Sequence, residues 1–288
     1  MKNRAVSISR SKRRNTVIYH VLVCGVGIVM IYPLIWMVVS SIKPTNTIFL
    51  TSSSLYVENP TFDNYINGWK GFSKTSFASF ILNSLYISLA STVLGCISCT
   101  VVGYGLGRLK FKGRNIIFGV VLLTMMLPGQ VMMIPQYLWF NKLKWINSYK
   151  PLIIPQAFAI QGFFVFLIVN YMHGIPRELD ESAKIDGCSY LGIFTRIIVP
   201  LSKPAIGTIA IFAFINSWNE YMSPLLYIKT TKKYPVSLAL KLFCDNTGTS
   251  DYGAMFAMSV VSLVPIVLIF IFLQRYIVEG VSTQGLKG

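Results

Sequence analysis

The chain has 288 residues, of which 53% are hydrophobic and 12% charged, and its formal net charge is +16. A mean hydropathy of +0.59 excludes an ordinary soluble domain and predicts an all-α integral membrane protein. The basic residues gather beside apolar segments, a distribution typical of a membrane topology signal and not of a nucleic-acid-binding surface.

Six apolar segments are long enough to cross a bilayer as helices. They cover Thr16–Ile42, Phe77–Leu106, Ile116–Ile134, Leu152–Met172, Pro204–Ile228 and Ala257–Val278. An even number of crossings places both termini on the same side of the membrane.

Two clusters of basic residues predict which side that is. The first precedes the first segment and the second fills the loop after the second segment: Arg10, Lys12, Arg13 and Arg14, then Arg108, Lys110, Lys112 and Arg114. Basic loops stay in the cytoplasm, so both termini are predicted to be cytoplasmic. The domains are then a basic N-terminus (1–15), a first transmembrane helix (16–42), an extracytoplasmic loop (43–76), a core transmembrane domain (77–278) and a C-terminal tail (279–288).

Polar and helix-breaking residues inside the apolar segments can kink a helix, tie helices together or line an interior path. Pro128-Gly129 interrupts the third segment, and such a break is tolerated only where other helices or a water-lined path satisfy the freed backbone groups. The fifth segment predicts a polar helical stripe of Asn216, Asn219, Glu220 and Ser223. A carboxylate is costly in hydrocarbon, so these residues either line a translocation path or tie helices together by hydrogen bonds.

A charged interval, Pro176–Pro204, lies between the fourth and fifth segments and predicts a helix-turn-helix segment. Pro176 suits a first helical turn, and the acidic residues Glu178, Asp180 and Glu181 follow it at the positive end of the helix dipole. Gly187 supplies the corner. A second helix from Tyr190 to Val199 is predicted, with Tyr190, Ile193, Phe194, Ile197 and Ile198 on one side, and Pro200 ends it.

The spacing within this segment resembles a known motif. Glu181-Ser182-Ala183, three residues, Gly187, nine residues, then Ile197-x-Val199-Pro200 is similar to the EAA loop of permease subunits of bacterial ABC importers. The pattern departs from that motif at Ser182 and Val199. Trp218-Asn219-Glu220 and the ending Gly285-Leu286-Lys287-Gly288 resemble the second permease subunit of the maltose-type sugar importers, and the likeness covers nearly the whole chain.

The resemblance implies a type I ABC importer permease in which residues 173–203 form a cytoplasmic coupling loop. It implies ATPase-contacting roles for Glu181, Ser182, Ala183, Asp186, Gly187, Ile197 and Pro200 and for the tail residues Gln284, Gly285, Leu286 and Lys287. Glu181 would pair with a basic group of the ATPase, and Ala183 would allow close approach there.

The implied assembly is a carbohydrate importer with a second homologous permease, two ATPase subunits and an extracytoplasmic sugar-binding protein, embedded in the lipid of the bacterial inner membrane. The sequence lacks a Walker A motif, so we expect no cofactor or metal on this chain, no enzymatic activity, and ATP and Mg used by the partner subunits. The Cys96-x-x-Cys99 pair lacks the second ligand pair of a zinc site. A secondary transporter or channel is the alternative, although it leaves the EAA-like spacing unexplained.

Reporter fusions test the predicted topology. Fusions at residues 112, 185 and 288 should report the cytoplasm, and fusions near 60, 145 and 245 should report the opposite side, because the two basic clusters remain inside. A cytoplasmic report at residue 60 would contradict the arrangement of six spans.

Overall fold

The computed structural model describes the backbone of residues 2–244 and 250–285 and the side chains of residues 15–244 and 250–276. Within these ranges all regular elements are helical, apart from an isolated β-bridge between Phe72 and Thr75. The all-α prediction is confirmed. The chain divides into two compact units, which we call the first unit (Met1–Trp69 and Phe243–Val261) and the second unit (Lys70–Leu242 and Ser262–Gly288).

Helices follow one another along the described chain with short connections. The α-helices are α1 (Lys2–Ser41), α2 (Asp63–Lys70), α3 (Phe77–Arg108), α4 (Arg114–Thr124), α5 (Gly129–Lys142), α6 (Lys150–Ile153), α7 (Gly162–His173), α8 (Glu178–Ile185), α9 (Tyr190–Ile193), α10 (Val199–Leu201), α11 (Lys203–Asn219), α12 (Met222–Tyr227), α13 (Val236–Ala239) and α14 (Tyr252–Gly285). Short 3₁₀ turns cover Ile154–Phe158, Thr231–Lys233 and Leu240–Phe243, and a π-helical turn covers Phe194–Ile198.

The described helices provide four to six candidate membrane spans. Four are single stretches, namely Asn15–Ser41, Phe77–Arg108, Lys150–His173 and Tyr252–Tyr276. Two more are bent pairs, Arg114–Thr124 with Gly129–Lys142 at 101° and Tyr190–Leu201 with Lys203–Asn219 at 73°. Counting each pair as one span gives six, the number that the sequence predicts. The second pair, however, begins with Tyr190–Leu201, which the sequence assigns to the helix-turn-helix segment and not to the fifth span. The third span continues beyond Ile134 to Lys142.

The third and fifth spans are interrupted at prolines. Pro128 precedes α5, and a proline disfavours helical backbone in the residue before it, which confirms the predicted break at Pro128-Gly129. The fifth span was predicted as one helix from Pro204 to Ile228, and this is wrong. Its helix ends at Asn219 and Glu220 is extended, with φ −63° and ψ 121°. Pro224 explains the break, because a proline ring crowds the carbonyl four residues earlier.

The fourth span is also discontinuous. A 3₁₀ turn ends at Phe158, Ala159 adopts a left-handed conformation with φ 51°, and α7 begins only at Gly162. Three consecutive spans therefore contain non-helical backbone within their apolar length, which no lipid-exposed segment tolerates.

Buried polar groups organise the first unit. The ammonium group of Lys43, 2% exposed, donates to the carbonyls of Thr51 at 2.9 Å and Ser54 at 2.7 Å. The side-chain amide of Asn64 donates to the carbonyls of Ser41 at 2.8 Å and Lys43 at 2.7 Å. These bonds satisfy the carbonyls at the end of α1 and fix the loop that follows it.

The hydrophobic core of the second unit lies where α3 contacts α7 and α11. Buried residues from these helices and from the helix-turn-helix segment form one cluster, which includes Phe164, Ile168, Ala183, Ile193 and Ile209. A methyl group on Gly103 would overlap the side chain of Ile168, so this glycine permits the close approach of α3 and α7.

Both chain ends are helical where the structure describes them. α1 begins at Lys2, so residues 2–15, the predicted basic N-terminus, have the same helical backbone as the first span. α14 continues through Gln284 to Gly285 and so includes most of the predicted tail. Leu286 and Lys287 lie outside the described residues.

Packing of α3 can be tested with two glycines on the same helix. Gly103→Leu should destabilise the protein by about 1–3 kcal/mol, because the larger side chain overpacks the contact with Ile168. Gly105→Leu is the matched control, because nothing lies within 4 Å of a methyl group built there. Thermal unfolding of the detergent-purified protein gives the unfolding midpoint of each variant. Equal midpoints for the Gly103→Leu and Gly105→Leu variants would contradict this account of the packing.

Candidate functional site

The helix-turn-helix segment has the predicted glycine corner. α8 ends in a Schellman arrangement, in which the amide of Cys188 donates to the carbonyl of Ala183 at 2.9 Å and that of Gly187 donates to Lys184 at 3.0 Å. Gly187 has φ +78°, a left-handed conformation that glycine adopts without strain. The corner is open, since nothing lies within 4 Å of a methyl group built on Gly187.

The second helix of this segment is less regular than predicted. Ser189 caps it by accepting a hydrogen bond from the amide of Gly192 at 3.2 Å. After α9 the chain forms the π-helical turn Phe194–Ile198 and then α10, which contains Pro200. A proline at this position removes one helical hydrogen bond and crowds a carbonyl in the preceding turn, which is the turn that widens.

Arg108 at the end of α3 fixes the start of the segment. Its side chain is 2% exposed and pairs with Asp180, with Nε 2.9 Å and Nη2 2.8 Å from Oδ2. Nη1 also donates to the carbonyls of Met172 at 3.0 Å and Ile175 at 2.7 Å, and Nη2 donates to that of Pro176 at 3.1 Å. One guanidinium therefore satisfies the carbonyl end of α7 and holds the acidic first turn of α8.

Aromatic contacts fix the second helix to α3 as well. The hydroxyl of Tyr104 donates to the carbonyl of Tyr190 at 3.1 Å, and its ring lies 4.9 Å from that of Phe194. The ammonium group of Lys184 lies 4.9 Å from the centroid of the Tyr190 ring, which links the two helices of the segment by a cation–π contact.

The placement of Ala183 corrects its predicted role. We expected this small residue to allow close approach of an ATPase, but it is 6% exposed and belongs to the chain's own core. Its small size lets α8 approach the ends of the membrane helices. Glu181, Ser182, Asp186 and Gly187 are exposed, as is Pro200, whereas Ile197 is half-buried.

The outward face of the segment combines acids with large apolar side chains. Glu181 is exposed and forms no ion pair with any described residue. Beside it, Ile185 is 87% exposed and Leu191 is 70% exposed. Exposed apolar side chains of this size next to charged ones are typical of a protein-interaction surface.

A small cavity of about 430 Å³ lies between this segment and the loop after α3. Glu181 and Asp180 line it together with four basic residues: Arg108, Lys110, Arg177 and Lys184. The second basic cluster, which the sequence presents as a topology signal, therefore contributes two residues to the wall of this cavity, the buried Arg108 and the exposed Lys110.

A larger cavity of about 750 Å³ lies within the second unit, at the three interrupted spans. Residues on both sides of each interruption line it: Thr124 and Gly129, Gln156 and Gly162, and Glu220 and Ser223. The interruptions thus lie at a cavity and not at the lipid, as the cost of unsatisfied backbone groups in hydrocarbon requires. Its volume is in the range of small-molecule sites.

Amides and hydroxyls dominate the polar part of this cavity. The amide residues are Gln130, Gln136, Gln156, Gln161 and Asn216, and the hydroxyl residues are Ser84, Ser91, Thr124, Ser217, Ser223 and Tyr227. None of the five side-chain amides forms a hydrogen bond within the described part of the chain. They are available to a ligand that offers hydroxyl groups.

The predicted path residues are only partly brought together. Asn216, Glu220 and Ser223 line the cavity, whereas Asn219 is exposed and does not. Ser223 lies on α12 and not on the predicted common stripe, and its amide donates to Glu220 Oε1 at 3.0 Å. The carbonyl of Glu220, displaced from helical bonding, accepts from the hydroxyl of Ser237 at 2.6 Å.

Sequence reasoning missed most of the cavity wall and the role of Arg108. Three of the glutamines, Gln130, Gln156 and Gln161, lie in predicted apolar segments, and Gln130 and Gln136 follow the Pro128-Gly129 break, which was the available signal. The tail residues Gln284 and Gly285 end α14, with side chains outside the described residues, so their expected contacts stay predictions.

Comparisons with known proteins agree with this architecture. The family described as binding-protein-dependent transport system inner membrane component matches residues 99–283. The chain is 34% identical over 264 residues to the arabinooligosaccharides transport system permease protein AraQ of Bacillus subtilis, covering 91% of this chain and 92% of that protein. It is 32% identical over 262 residues to the trehalose/maltose transport system permease protein MalG of Thermococcus litoralis, covering 91% of this chain and 93% of that protein.

A solved structure has the same fold. The crystal structure of a bacterial ABC transporter involved in the import of the acidic polysaccharide alginate contains a chain that matches with a TM-score of 0.79 at 22% identity, covering 93% of this chain and 98% of that chain. This chain therefore belongs to the family of inner membrane components of binding-protein-dependent transport systems. It is a multi-pass transport subunit and not an enzyme, and the predicted resemblance is confirmed.

The anchor at Arg108 can be tested by substitution. Arg108→Met should destabilise the helix-turn-helix segment by about 1–3 kcal/mol, because it leaves the half-buried carboxylate of Asp180 and the buried carbonyls of Met172 and Ile175 without their donor. Amide hydrogen exchange of residues 178–185 should then accelerate. Lys110→Met removes an exposed charge from the same loop and should leave the exchange unchanged.

A double-mutant cycle isolates the ion pair. Asp180→Asn in the Arg108→Met background should cost less than it does alone, because the two side chains interact directly. Additive effects of the two substitutions would contradict the assigned pairing.

Proposed function

We propose that this chain is the permease subunit of an ATP-driven carbohydrate importer and forms half of its translocation path. The 750 Å³ cavity carries the proposal, because its free amides and its hydroxyls can exchange hydrogen bonds with a sugar. Phe140, Phe163 and Tyr227 add aromatic surface to the same wall. The names of the relatives AraQ and MalG, which refer to arabinooligosaccharides and to trehalose and maltose, support this substrate class.

The helix-turn-helix segment is the proposed contact for a separate ATPase subunit. Its outward face offers the unpaired carboxylate of Glu181 and the exposed side chains of Ile185 and Leu191. Its inward face is fixed to α3 and α7 through Arg108 and through the core around Ala183. A displacement of the outward face would therefore move the ends of the membrane helices with it.

The remaining partners follow from this proposal. A second, homologous permease completes the path, two ATPase subunits bind the cytoplasmic segments, and an extracytoplasmic protein delivers the sugar. ATP and Mg are used by the ATPase subunits, and this chain binds no cofactor. Both termini and the helix-turn-helix segment lie in the cytoplasm, as the basic residues of the loop after α3 favour.

Transport by the assembled complex in sealed vesicles tests the proposal. Uptake of a sugar should require ATP on the ATPase side and the extracytoplasmic protein on the other. Uptake driven by an ion gradient without ATP or an ATPase subunit would contradict it and favour a secondary transporter.

Gly187 provides the sharpest variant for the coupling step. Gly187→Val forces a β-branched side chain into a left-handed conformation, which costs roughly 1–2 kcal/mol or more and distorts the corner. Gly187→Asn is the matched control, because asparagine tolerates this conformation and the corner has open space. The valine variant should remain inserted but lose co-purification with the ATPase or sugar-stimulated ATP hydrolysis. Normal values for both would show that the segment does not couple the subunits.

A further inference from the structure

Glu220 carries the only formal charge among the described residues that line the 750 Å³ cavity. The wall contains no lysine, arginine or histidine and no aspartate. Its other polar side chains are amides and hydroxyls, which are uncharged. Although the chain as a whole carries a net charge of +16, the described wall of this cavity carries a single negative charge.

The position of this carboxylate is fixed by the break in the fifth span. Its Oε1 accepts the amide hydrogen of Ser223 at 3.0 Å, and its own carbonyl accepts from Ser237. Both bonds arise because Pro224 ends the helical hydrogen bonding at Glu220. The side chain makes no ion pair with a described residue, so its field in the cavity is not neutralised by a neighbouring cation.

We propose that Glu220 makes this part of the path selective for uncharged sugars over sugars that carry carboxylates, such as uronic-acid oligosaccharides. The inference rests on the proposed function and narrows its substrate class. Hydroxyl groups of either kind of sugar can exchange hydrogen bonds with the amides of the wall. A uronate in the same space would in addition experience like-charge repulsion in partly dehydrated surroundings, where such interactions are stronger than in bulk water.

The charge can be measured without any sugar. Ser217 lines the cavity close to Glu220, so Ser217→Cys places a reactive thiol there in a background whose five native cysteines are replaced by alanine. Cationic and anionic methanethiosulfonate reagents of similar size then report the local potential as a ratio of reaction rates. A unit charge about 6 Å away in water alters each rate about threefold, in opposite directions, so Glu220→Gln should reduce the cation-to-anion ratio by about tenfold.

Glu220→Gln is suited to this test because the side-chain oxygen of glutamine can still accept the hydrogen bond from the backbone amide of Ser223. Glu220→Asp retains the charge and serves as the control, in which the rate ratio should stay high. An unchanged ratio in the glutamine variant would overturn the proposal, because it would show that Glu220 does not set the potential of the cavity.

The second measurement uses sugars. Binding of a neutral disaccharide and of its uronic-acid counterpart, for example digalactose and digalacturonate, is compared in the assembled transporter without the extracytoplasmic protein. Glu220→Gln should shift the ratio of affinities toward the uronate by about tenfold, and an unchanged ratio would overturn the proposal. If the unaltered transporter binds neither sugar while the reagent ratio still falls in the variant, the carbohydrate function fails and the charge selectivity of the cavity stands.

Discussion

The guanidinium of Arg108 lies at the junction between α3, α7 and the helix-turn-helix segment, and the arrangement of these elements depends on it. It donates to one carbonyl in the last turn of α7, to two carbonyls of the turn that follows and to the half-buried carboxylate of Asp180. These are hydrogen bonds that water would otherwise have to supply. Without it, the turn between α7 and α8 would expose unsatisfied acceptors to the core. One side chain with five donors thus fixes the start of the helix-turn-helix segment to α3, and Tyr104 and the core around Ala183 fix the remainder.

The large cavity has a comparable physical origin. Prolines and a left-handed residue interrupt three spans, and each interruption frees backbone groups that lipid cannot satisfy. These interruptions lie at a common polar space, where glutamine, asparagine and serine side chains are also tolerated. The helix breaks and the polar side chains therefore belong to one site. This site explains why so many amide side chains lie in or beside the apolar segments of the chain.

Those features of the fold and of the site that depend on a short stretch of sequence could be predicted. Lengths of apolar segments predicted the spans, Pro128-Gly129 predicted a break, and Gly187 predicted the corner. The break at Glu220 was not predicted, because the apolar segment continues beyond this residue. Pro224 was the available signal for the break. The burial of Arg108 could not be predicted, since Arg108 is one of four basic residues in the second basic cluster and only tertiary contacts distinguish it from the other three. Ala183 was assigned to the wrong surface for the same reason.

The burial of Ala183 has a mechanical consequence. Its methyl group is part of the same packed cluster as Ile168 of α7 and Ile209 of α11, so α8 is continuous with the interior and is not suspended on a flexible connection. Close-packed protein interiors have low compressibility. A force applied at the outward face of α8 is therefore transmitted with little elastic loss, and the stiffness of this core determines how small a movement of α8 suffices to displace the helices packed against it.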